Sequence, residues 1–309
     1  MVISLGIEGY GYLLSVGIID DNKVLINKSK YFESPDYQDY YPYFIATHHR
    51  KNVLPLIRQC LTESNLQYQD IDIICFSNAV VMRMLAQMWN KPIVVVNHAY
   101  AHIKASEFYS KVENCVVVYL CGKFSQIMVK KDDKYKIIGS SLDISIEEAY
   151  LKMSKYLKFY DKEEYLGATI EELSKKGTDL ILLPYMINGF YFYLSGTLCS
   201  LQNLINNASI KIEDICLSFQ EAVLSIIVEI TEKAMLDAQA NQILIIGQIS
   251  ENKRLQDMMT SMAKDNCSVV FEFNKNYSID SGVMIALSGL QQYKKYGPTK
   301  WSESGIVEK

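Results

Sequence analysis

Two histidines stand four residues apart in the segment from Val96 to His102, which reads VNHAYAH. His98 and His102 follow the apolar run Pro92–Val96, at the point where a helix is predicted to begin. Residues i and i+4 lie on one face of a helix, so two imidazoles at this spacing can bind one metal ion. A pair of capping or surface histidines is the alternative interpretation, because the segment itself holds no third ligand.

Two further segments could bind a phosphate, a nucleoside or a metal ion. The predicted strand Gln242–Ile246 leads into the turn Gly247–Leu255 (GQISENKRL) and then into a helix. In that order of elements, the N–H groups of the helix can hold a phosphate. The segment Tyr277–Ile285 (YSIDSGVMI) places Asp280 before an apolar helix, where an aspartate is ordinarily an N-cap. Asp280 becomes a metal or phosphate ligand only if that helix points into a binding cleft.

The elements that must position these residues begin with a meander of three strands. The first part of the chain predicts the strands Val2–Ile7, Leu13–Ile19 and Lys23–Asn27, the helix Ala46–Glu63, the strand Ile71–Phe76, a helix over 78–89 and the strand Pro92–Val96. His48 and His49 are expected at the beginning of the helix Ala46–Glu63, where they more often cap than bind a metal. Pro55 lies inside that helix and is expected to kink or break it.

The second part of the chain repeats this plan. It predicts the strands Cys115–Leu120, Gln126–Lys130 and Tyr135–Ile138, the helix Ile146–Leu157, a mixed middle region, the buried helix Glu213–Ala238, the strand Gln242–Ile246, the helix Asn252–Ala263, the strand Ser268–Phe273 and a closing helix over 280–293. Alternating helices and strands favour an α/β fold with helices packed on mixed sheets. The repeated plan predicts a duplicated, two-lobed fold with a cleft between an N-terminal lobe (1–96 with 283–309) and a C-terminal lobe (97–282).

Composition and charge exclude several classes of protein. With 309 residues, 49% apolar and 21% charged, the chain is typical of a globular protein and not of a disordered, collagen-like or disulfide-stapled one. Its seven scattered cysteines favour free thiols in a reducing compartment. A net charge of −4 predicts that any nucleic-acid contact needs a local basic patch or a partner subunit. The sequence predicts no signal peptide and no membrane-spanning segment.

A resemblance to one family runs from end to end of the chain. The segments that carry it are LGIEG (5–9), ATHHRKNVLPLI (46–57), NKPIVVVNHAYAHI (90–103), VVVYLCG (116–122), SLDISI (141–146), GATIEEL (167–173), LSGTL (194–198), EDICLSFQEAVLSIIVEITEKAM (213–235), ENKRL (251–255) and DSGVMIA (280–286). In this order they resemble the catalytic subunits of tRNA threonylcarbamoyladenosine synthesis, which are actin-like ATPase-superfamily proteins of the KEOPS complex. The chain is similar to a divergent member of the archaeal and eukaryotic cytosolic branch. The resemblance implies an actin-like (ribonuclease H-like, duplicated) fold.

The resemblance also implies which residues hold a metal ion and a nucleotide. The metal ligands of the family fall on His98, His102, Tyr119 and Asp280, a mixed nitrogen and oxygen set suited to iron or zinc. The positions implied to contact nucleotide or substrate are Gly122, Lys123, Asp143, Gly167, Glu171 and Asn252. The implied ligands are therefore one iron or zinc ion per subunit and an adenine nucleotide, either threonylcarbamoyl-AMP or ATP.

The implied activity is transfer of a threonylcarbamoyl group from threonylcarbamoyl-AMP to the adenosine 3′ of the anticodon in tRNA. The chain would act in a KEOPS-like complex with a kinase-like protein and a small dimerising protein, in the cytoplasm and, as a second location, the nucleus. No dedicated general base is apparent among its residues. A kinase of the same superfamily is another interpretation, but such kinases use dense glycine turns and this chain has few of them.

Three departures from the family pattern lie near the implied nucleotide site. The family's SGGNT turn is replaced by Cys121–Ser125 (CGKFS), and a loop containing GPG is missing after Ser77. The segment Asp143–Lys152 (DISIEEAYLK) adds negative charge where a phosphate could lie. These changes favour an alternative function, a catalytically weakened or inactive scaffold or regulatory paralogue of the same complex. They leave the implied metal ligands unchanged.

Overall fold

The computed structural model describes residues 2–9, 13–21, 23–32, 42–77, 80–110, 112, 114–131, 134–159, 167–206, 210–271 and 281–304. Over these ranges the strands are β1 (Ser4–Glu8), β2 (Leu13–Ile19), β3 (Val24–Tyr31), β4 (Ile73–Phe76), β5 (Ile93–Val95), β6 (Cys115–Cys121), β7 (Phe124–Lys131), β8 (Lys134–Ser140), β9 (Met186–Asn188), β10 (Tyr191–Tyr193), β11 (Gln242–Ile246) and β12 (Val269–Phe271). The helices are α1 (Pro42–Glu63), α2 (Val80–Trp89), α3 (His98–Ser110), α4 (Ile146–Leu157), α5 (Ala168–Ser174), α6 (Ser195–Ile205), α7 (Ile212–Ala238), α8 (Lys253–Asp265) and α9 (Gly282–Tyr296).

The chain divides into two compact units. Unit 1 comprises residues 1–109 and 274–309, and unit 2 comprises residues 110–273. The sequence predicts the boundaries at 96/97 and 282/283 instead, so the difference concerns mainly helix α3. This helix belongs with unit 1 because Ala101 and Ala105 are buried in the same apolar cluster as Val94, Val96 and Val283.

Unit 1 is built on a five-stranded mixed sheet in the order β3-β2-β1-β4-β5. Strand β1 pairs antiparallel with β2 and parallel with β4, which in turn pairs parallel with β5. One face of the sheet is buried with Val53 and Ile57 of α1, and the other with residues of α3 and α9. The apolar residues of β1 are almost wholly buried, as expected for a central strand covered on both faces.

Helix α9 comes from the end of the chain and packs backbone to backbone against the first two strands of unit 1. A Cβ atom at Gly6 would overlap the carbonyl oxygen of Gly282, and one at Gly17 would overlap the backbone nitrogen of Val283. The hydroxyl of Ser4 donates to the carbonyl oxygen of Ala286 at 3.0 Å. The core of unit 1 therefore requires residues from both ends of the chain.

Unit 2 is built on a second five-stranded sheet, in the order β12-β11-β6-β7-β8. Strands β6, β7 and β8 form an antiparallel meander, and β11 and β12 add to β6 in parallel. In each unit the first strand therefore lies at the centre of the sheet. The other two strands of its antiparallel meander lie on one side of it, and two parallel strands lie on the other. This common strand order confirms the predicted duplicated α/β fold. Helix α7 is buried along most of its length, as its apolar sequence predicts.

Two predicted features of the helices differ from the structure. Helix α1 begins at Pro42, four residues before the predicted start, and continues through Pro55 without a break. Burial of Val53, Leu56 and Ile57 around the proline offsets the one lost backbone hydrogen bond.

Over the described residues, no helix combines the length and the apolar character needed to cross a membrane.

Candidate functional site

The two histidines of the VNHAYAH segment lie side by side in unit 1. Asn97 caps helix α3, since its Oδ1 accepts the backbone N–H of Tyr100 at 2.9 Å. His98 is therefore the first residue of the helix and His102 follows one turn later. Their ring centroids are 4.7 Å apart and the ring planes are nearly perpendicular, at 87°. His102 is fully buried, so one edge of the pair is shielded from water.

A buried carboxylate, Glu8 at the end of β1, orients the first of these histidines. Its Oε2 lies 3.0 Å from Nδ1 of His98, and its side chain is 0% exposed. The hydroxyl of Ser77 donates to Oε1 and Oε2 of Glu8 at 2.9 and 3.1 Å, and the backbone N–H of Gly9 donates to Oε1 at 2.8 Å. Glu8 is thus held in position by hydrogen bonds that do not involve His98.

This arrangement fits the chemistry of a metal-binding histidine. A neutral His98 that donates its Nδ1–H to Glu8 carries its lone pair on Nε2, and metal-ligating histidines usually have such a carboxylate partner. The two imidazoles on one helix face, one of them held by a carboxylate, therefore suit a metal ion. Over the described residues no group of three or more His, Cys, Asp or Glu side chains has the geometry of a metal site.

The other two predicted metal ligands lie elsewhere in the chain. Asp280 lies outside the described residues. The cap of helix α9 is instead Ser281, whose Oγ accepts the backbone N–H of Met284 at 3.2 Å. Tyr119 belongs to unit 2, where it lies in β6 opposite Ile246 and is 2% exposed. Of the four predicted metal ligands, His98 and His102 are the two that the structure shows in contact over its described residues.

The remaining histidines lie inside helix α1 and not at its beginning, because the helix starts at Pro42. Nδ1 of His48 lies 3.1 Å from Nδ1 of His49. Burial lowers the pKa of His48 below its usual value, and the positive charge of Lys30 lowers it further. The ring of His48 is therefore neutral at pH 7.

Unit 2 brings two glycine turns together at one edge of its sheet. Strands β6 and β11 are parallel, with Tyr119 opposite Ile246, and each is followed directly by a glycine, Gly122 or Gly247. Gly247 has φ +115°, and a Cβ atom there would overlap the carbonyl oxygen of Leu120. In open α/β sheets, ligands bind beyond the carboxyl ends of such parallel strands. This edge of the sheet is therefore where the strand order leads us to expect a bound nucleotide.

The start of helix α4 holds the peptide groups of Gly122. Oε2 of Glu147 accepts the backbone N–H of Gly122 at 2.6 Å, and the hydroxyl of Ser145 donates to its carbonyl oxygen at 2.6 Å. Ser145 also caps α4, in a reciprocal pair of hydrogen bonds with Glu148. Lys123, the next residue in the turn, is exposed. A side chain of the protein therefore contacts the amide that was predicted to meet a ligand.

The carboxylate of Asp143 binds the first turn of helix α6. It accepts the backbone N–H groups of Ser195 at 2.7 Å, of Leu194 at 3.0 Å and of Ile144 at 2.7 Å. Burial alone would raise the pKa of Asp143, but these backbone hydrogen bonds lower it below its usual value. Asp143 thus stabilises the position of α6.

One of the predicted nucleotide residues, Glu171, lines a cavity of about 420 Å³ in unit 2, and a second, Asn252, contacts a lining residue of the same cavity. Gly167 precedes helix α5, and Glu171 in that helix lines the cavity, with Nζ of Lys175 3.1 Å from its Oε1. Asn252 caps helix α8 and donates from Nδ2 to Oε1 of Gln220, another lining residue, at 2.9 Å. The volume is in the range of small-ligand sites.

Sequence reasoning missed Gln220, which connects the two sides of this cavity. Its Nε2 donates to Oγ of Ser174 at 2.8 Å, so Asn252, Gln220 and Ser174 form one buried hydrogen-bonded chain. All three are at most 3% exposed. A glutamine inside the apolar stretch of α7 is the signal that could have found it, because a buried amide requires partners. Arg254 and Glu221 form a two-pronged ion pair at the same cavity, at 2.6 and 2.7 Å.

Comparison with known sequences shows the family of the chain. A family model described as "TsaD: tRNA N6-adenosine threonylcarbamoyltransferase" matches residues 29–287. A protein of Nematostella vectensis named probable tRNA N6-adenosine threonylcarbamoyltransferase is 34% identical over 320 residues, covering 99% of this chain and 95% of that protein. The Homo sapiens tRNA N6-adenosine threonylcarbamoyltransferase is 33% identical with the same coverage.

Comparison with solved structures supports the fold. Component A of (R)-2-hydroxyglutaryl-CoA dehydratase from Acidaminococcus fermentans matches with a TM-score of 0.60 and 10% identity, covering 96% of this chain and 99% of that one. Full-length HypF matches with a TM-score of 0.64 and 9% identity, over 96% of this chain and 56% of its own. These likenesses show the actin-like α/β fold. The family model and the full-length relatives establish that the chain belongs to the tRNA N6-adenosine threonylcarbamoyltransferase family.

Proposed function

We propose that this chain transfers the threonylcarbamoyl group of threonylcarbamoyl-AMP to N6 of the adenosine 3′ of the anticodon in tRNA. Full-length relatives that bear the name of this activity support the proposal. The structural observation that carries it is the paired imidazoles of His98 and His102 with the buried carboxylate of Glu8 on Nδ1 of His98. A carboxylate that contacts the second nitrogen of a histidine is the usual environment of a metal-ligating imidazole.

The metal ion is proposed to be iron or zinc, held by His98, His102, Tyr119 and Asp280. Imidazole, phenolate and carboxylate ligands suit either ion. When bound, the ion supplies Lewis-acid polarisation of the threonylcarbamoyl group. Glu8 keeps His98 in the tautomer and orientation that binding requires, and Ser77 keeps Glu8 in place.

The adenosine part of the donor is proposed to bind in unit 2, with Gly122, Lys123, Asp143, Gly167, Glu171 and Asn252 as the contacting positions. Glu171 can accept hydrogen bonds from ribose hydroxyls, and the Asn252–Gln220–Ser174 chain keeps the opposite wall of the cavity rigid. In the transfer, N6 attacks the carbamoyl carbon and the bond from that carbon to the phosphate oxygen breaks. The electron pair of the broken bond leaves on the phosphate of AMP, and the proton of N6 passes to solvent water. Holding both reactants in place supplies much of the acceleration.

The chain is proposed to work with KEOPS-like partner subunits, a kinase-like protein and a small dimerising protein. Its net charge of −4 supports this, because a chain without excess positive charge binds the phosphates of tRNA better together with a basic partner subunit. A cytoplasmic location, with the nucleus as a second one, is consistent with the cysteines. All seven are in the described part of the chain and none forms a disulfide there.

Reconstitution tests the proposed activity. The protein, the partner subunits, tRNA and a source of threonylcarbamoyl-AMP are combined, and modified adenosine is measured by mass spectrometry of digested tRNA. We expect modification by the parent and by Tyr100→Phe, a control on the exposed side of α3, and a loss of more than a hundredfold in His98→Ala. Equal modification by His98→Ala and the parent would exclude the metal role of this pair.

The scaffold or regulatory alternative is favoured by one observation, the contact of Glu147 with the amide of Gly122 in the altered turn. A non-catalytic paralogue would fail to bind either a metal ion or an adenine nucleotide. Metal analysis of the purified protein, together with an AMP titration, separates the two functions. Stoichiometric metal and saturable AMP binding support the transferase, and the absence of either supports the scaffold.

A further inference from the structure

The first turn of helix α4 contributes a negative charge to the turn after β6. Oε2 of Glu147 lies 2.6 Å from the backbone nitrogen of Gly122, whose φ is +57°. Backbone N–H groups in such left-handed turns are the groups that bind phosphate and other anions. In this chain the position of that anion is taken by a carboxylate of the protein.

The contact of Glu147 is supported from several sides. Ser145 holds the carbonyl oxygen of Gly122 at 2.6 Å, so both peptide groups around this glycine are bound to α4. Ser145 itself is fixed by the reciprocal hydrogen bonds with Glu148. A carboxylate in the first turn of a helix is also stabilised by the helix dipole. Displacing Glu147 from Gly122 therefore costs several favourable interactions.

This contact lies beside the turn that leads towards the cavity of unit 2. The Gly122 turn packs directly against the Gly247 turn, since a Cβ atom at Gly247 would meet Leu120 and Cys121. Five residues after Gly247, Asn252 donates a hydrogen bond to Gln220, which lines the cavity. Gly122 and Glu147 are thus connected through the Gly247 turn to the residues around the cavity.

We infer that Glu147 is a specificity-determining residue that makes this site favour adenosine with one phosphate over adenosine with two or three. Each added phosphate brings more negative charge towards Glu147, and the amide of Gly122 that would compensate for it is already bound. This inference rests on the proposed nucleotide site of unit 2. The negative charge of Glu147, in the segment Asp143–Lys152, would then help the site to select an ester of AMP such as the proposed donor.

Calorimetric titration with AMP, ADP and ATP tests this inference. The protein is compared with Glu147→Ala, which frees the amide, and Glu147→Gln, which removes the charge and keeps the shape. The matched control is Glu148→Gln, which removes the same charge from the adjacent residue, makes no contact of its own with Gly122, and keeps a side chain that can maintain the cap with Ser145. We expect the ratio of the Kd for ATP to the Kd for AMP to fall about tenfold in Glu147→Ala, less in Glu147→Gln, and not in Glu148→Gln.

The outcomes distinguish this inference from the proposed function. If AMP binds but the ratio is unchanged in both Glu147 variants, or changes equally in Glu148→Gln, the inference is wrong and the transferase proposal stands. If neither the parent nor any variant binds an adenine nucleotide, the inference about Glu147 and the transferase proposal are both wrong. Thermal melting of each variant confirms folding, and Glu147→Gln carries the test should Glu147→Ala fail to fold.

Discussion

The carboxylate of Glu8 contacts Nδ1 of His98 although 90 residues separate them in the sequence. The contact follows from the sheet of unit 1, where β1, β4 and β5 are parallel and in register, with Ile7 opposite Phe76 and Phe76 opposite Val95. The residues at or just beyond the carboxyl ends of these three strands are therefore neighbours. Glu8, Ser77 and His98 come from three such strand ends and form one hydrogen-bonded group.

Replacing Glu8 with glutamine is expected to weaken metal binding ten- to a hundredfold, as loss of a carboxylate partner does in other histidine sites. Metal retained after dialysis is the first measurement. The second is the tautomer of His98 in the metal-free protein at pH 8, read by ¹⁵N NMR, which is expected to shift away from the Nδ1–H form.

Asp20→Asn is the matched control for the Glu8 variant. Asp20 is also buried and in unit 1, but it accepts the backbone N–H of Lys23 in a turn at the other end of β2. Unchanged metal retention and an unchanged His98 tautomer in Glu8→Gln would contradict a positioning role for Glu8.

Gln220→Leu is expected to lower the affinity for AMP about tenfold and the free energy of unfolding by about 2 kcal/mol, because it leaves the buried amide of Asn252 without its acceptor. Calorimetry and urea denaturation measure the two effects. Gln59→Leu, on the exposed side of α1, is the control and should change neither. AMP affinity equal to that of the parent would show that the chain through Gln220 does not shape the nucleotide site.

Gly247→Ala is expected to destabilise the protein by more than about 3 kcal/mol, since the backbone there is left-handed and the new Cβ atom overlaps the carbonyl oxygen of Leu120. Gly189 also has a positive φ, of +64°, but nothing lies within 4 Å of a Cβ atom built on it. Gly189→Ala should therefore cost only about 1 kcal/mol. Similar melting temperatures for the two variants would show that the turn yields.

Asp143 is expected to make the stability of the protein depend on pH. Because backbone hydrogen bonds outweigh burial and lower its pKa in the folded state, its contribution is present above the unfolded pKa of about 4 and is lost as the pH falls through the lower folded value. The difference in melting temperature between the parent and Asp143→Asn should therefore be largest near pH 7 and shrink below pH 4. A difference that is constant from pH 7 to pH 3 would exclude this contribution.

Much of the fold could be predicted from local sequence. The bounds of β2, β11 and α4 agree with the prediction because their apolar periodicity is strong and turn residues flank them. The start of α1 was misplaced because aromatic and proline residues at 42–45 give no helical periodicity. The short strands β9 and β10 fall in the region predicted only as mixed, since three residues carry too little pattern to identify a strand.

The site could be predicted only in part, for a physical reason. The spacing of His98 and His102 is local, so a helix alone brings their rings together. The role of Glu8 depends on the register of three strands, and that of Gln220 on how α7 meets α5 and α8, which no local pattern encodes. The contact of the Asp143 carboxylate with the backbone N–H of Leu194, 51 residues away, is another that no local pattern encodes.

Helix α9 has a consequence for how the protein is made. Because Gly6 and Gly17 pack against the start of this helix, strands β1 and β2 cannot complete their packing until the ribosome has also translated all of unit 2. Unit 2 is continuous in sequence, whereas unit 1 is divided between the segments before and after it. During synthesis unit 1 is therefore begun before unit 2 and completed after it.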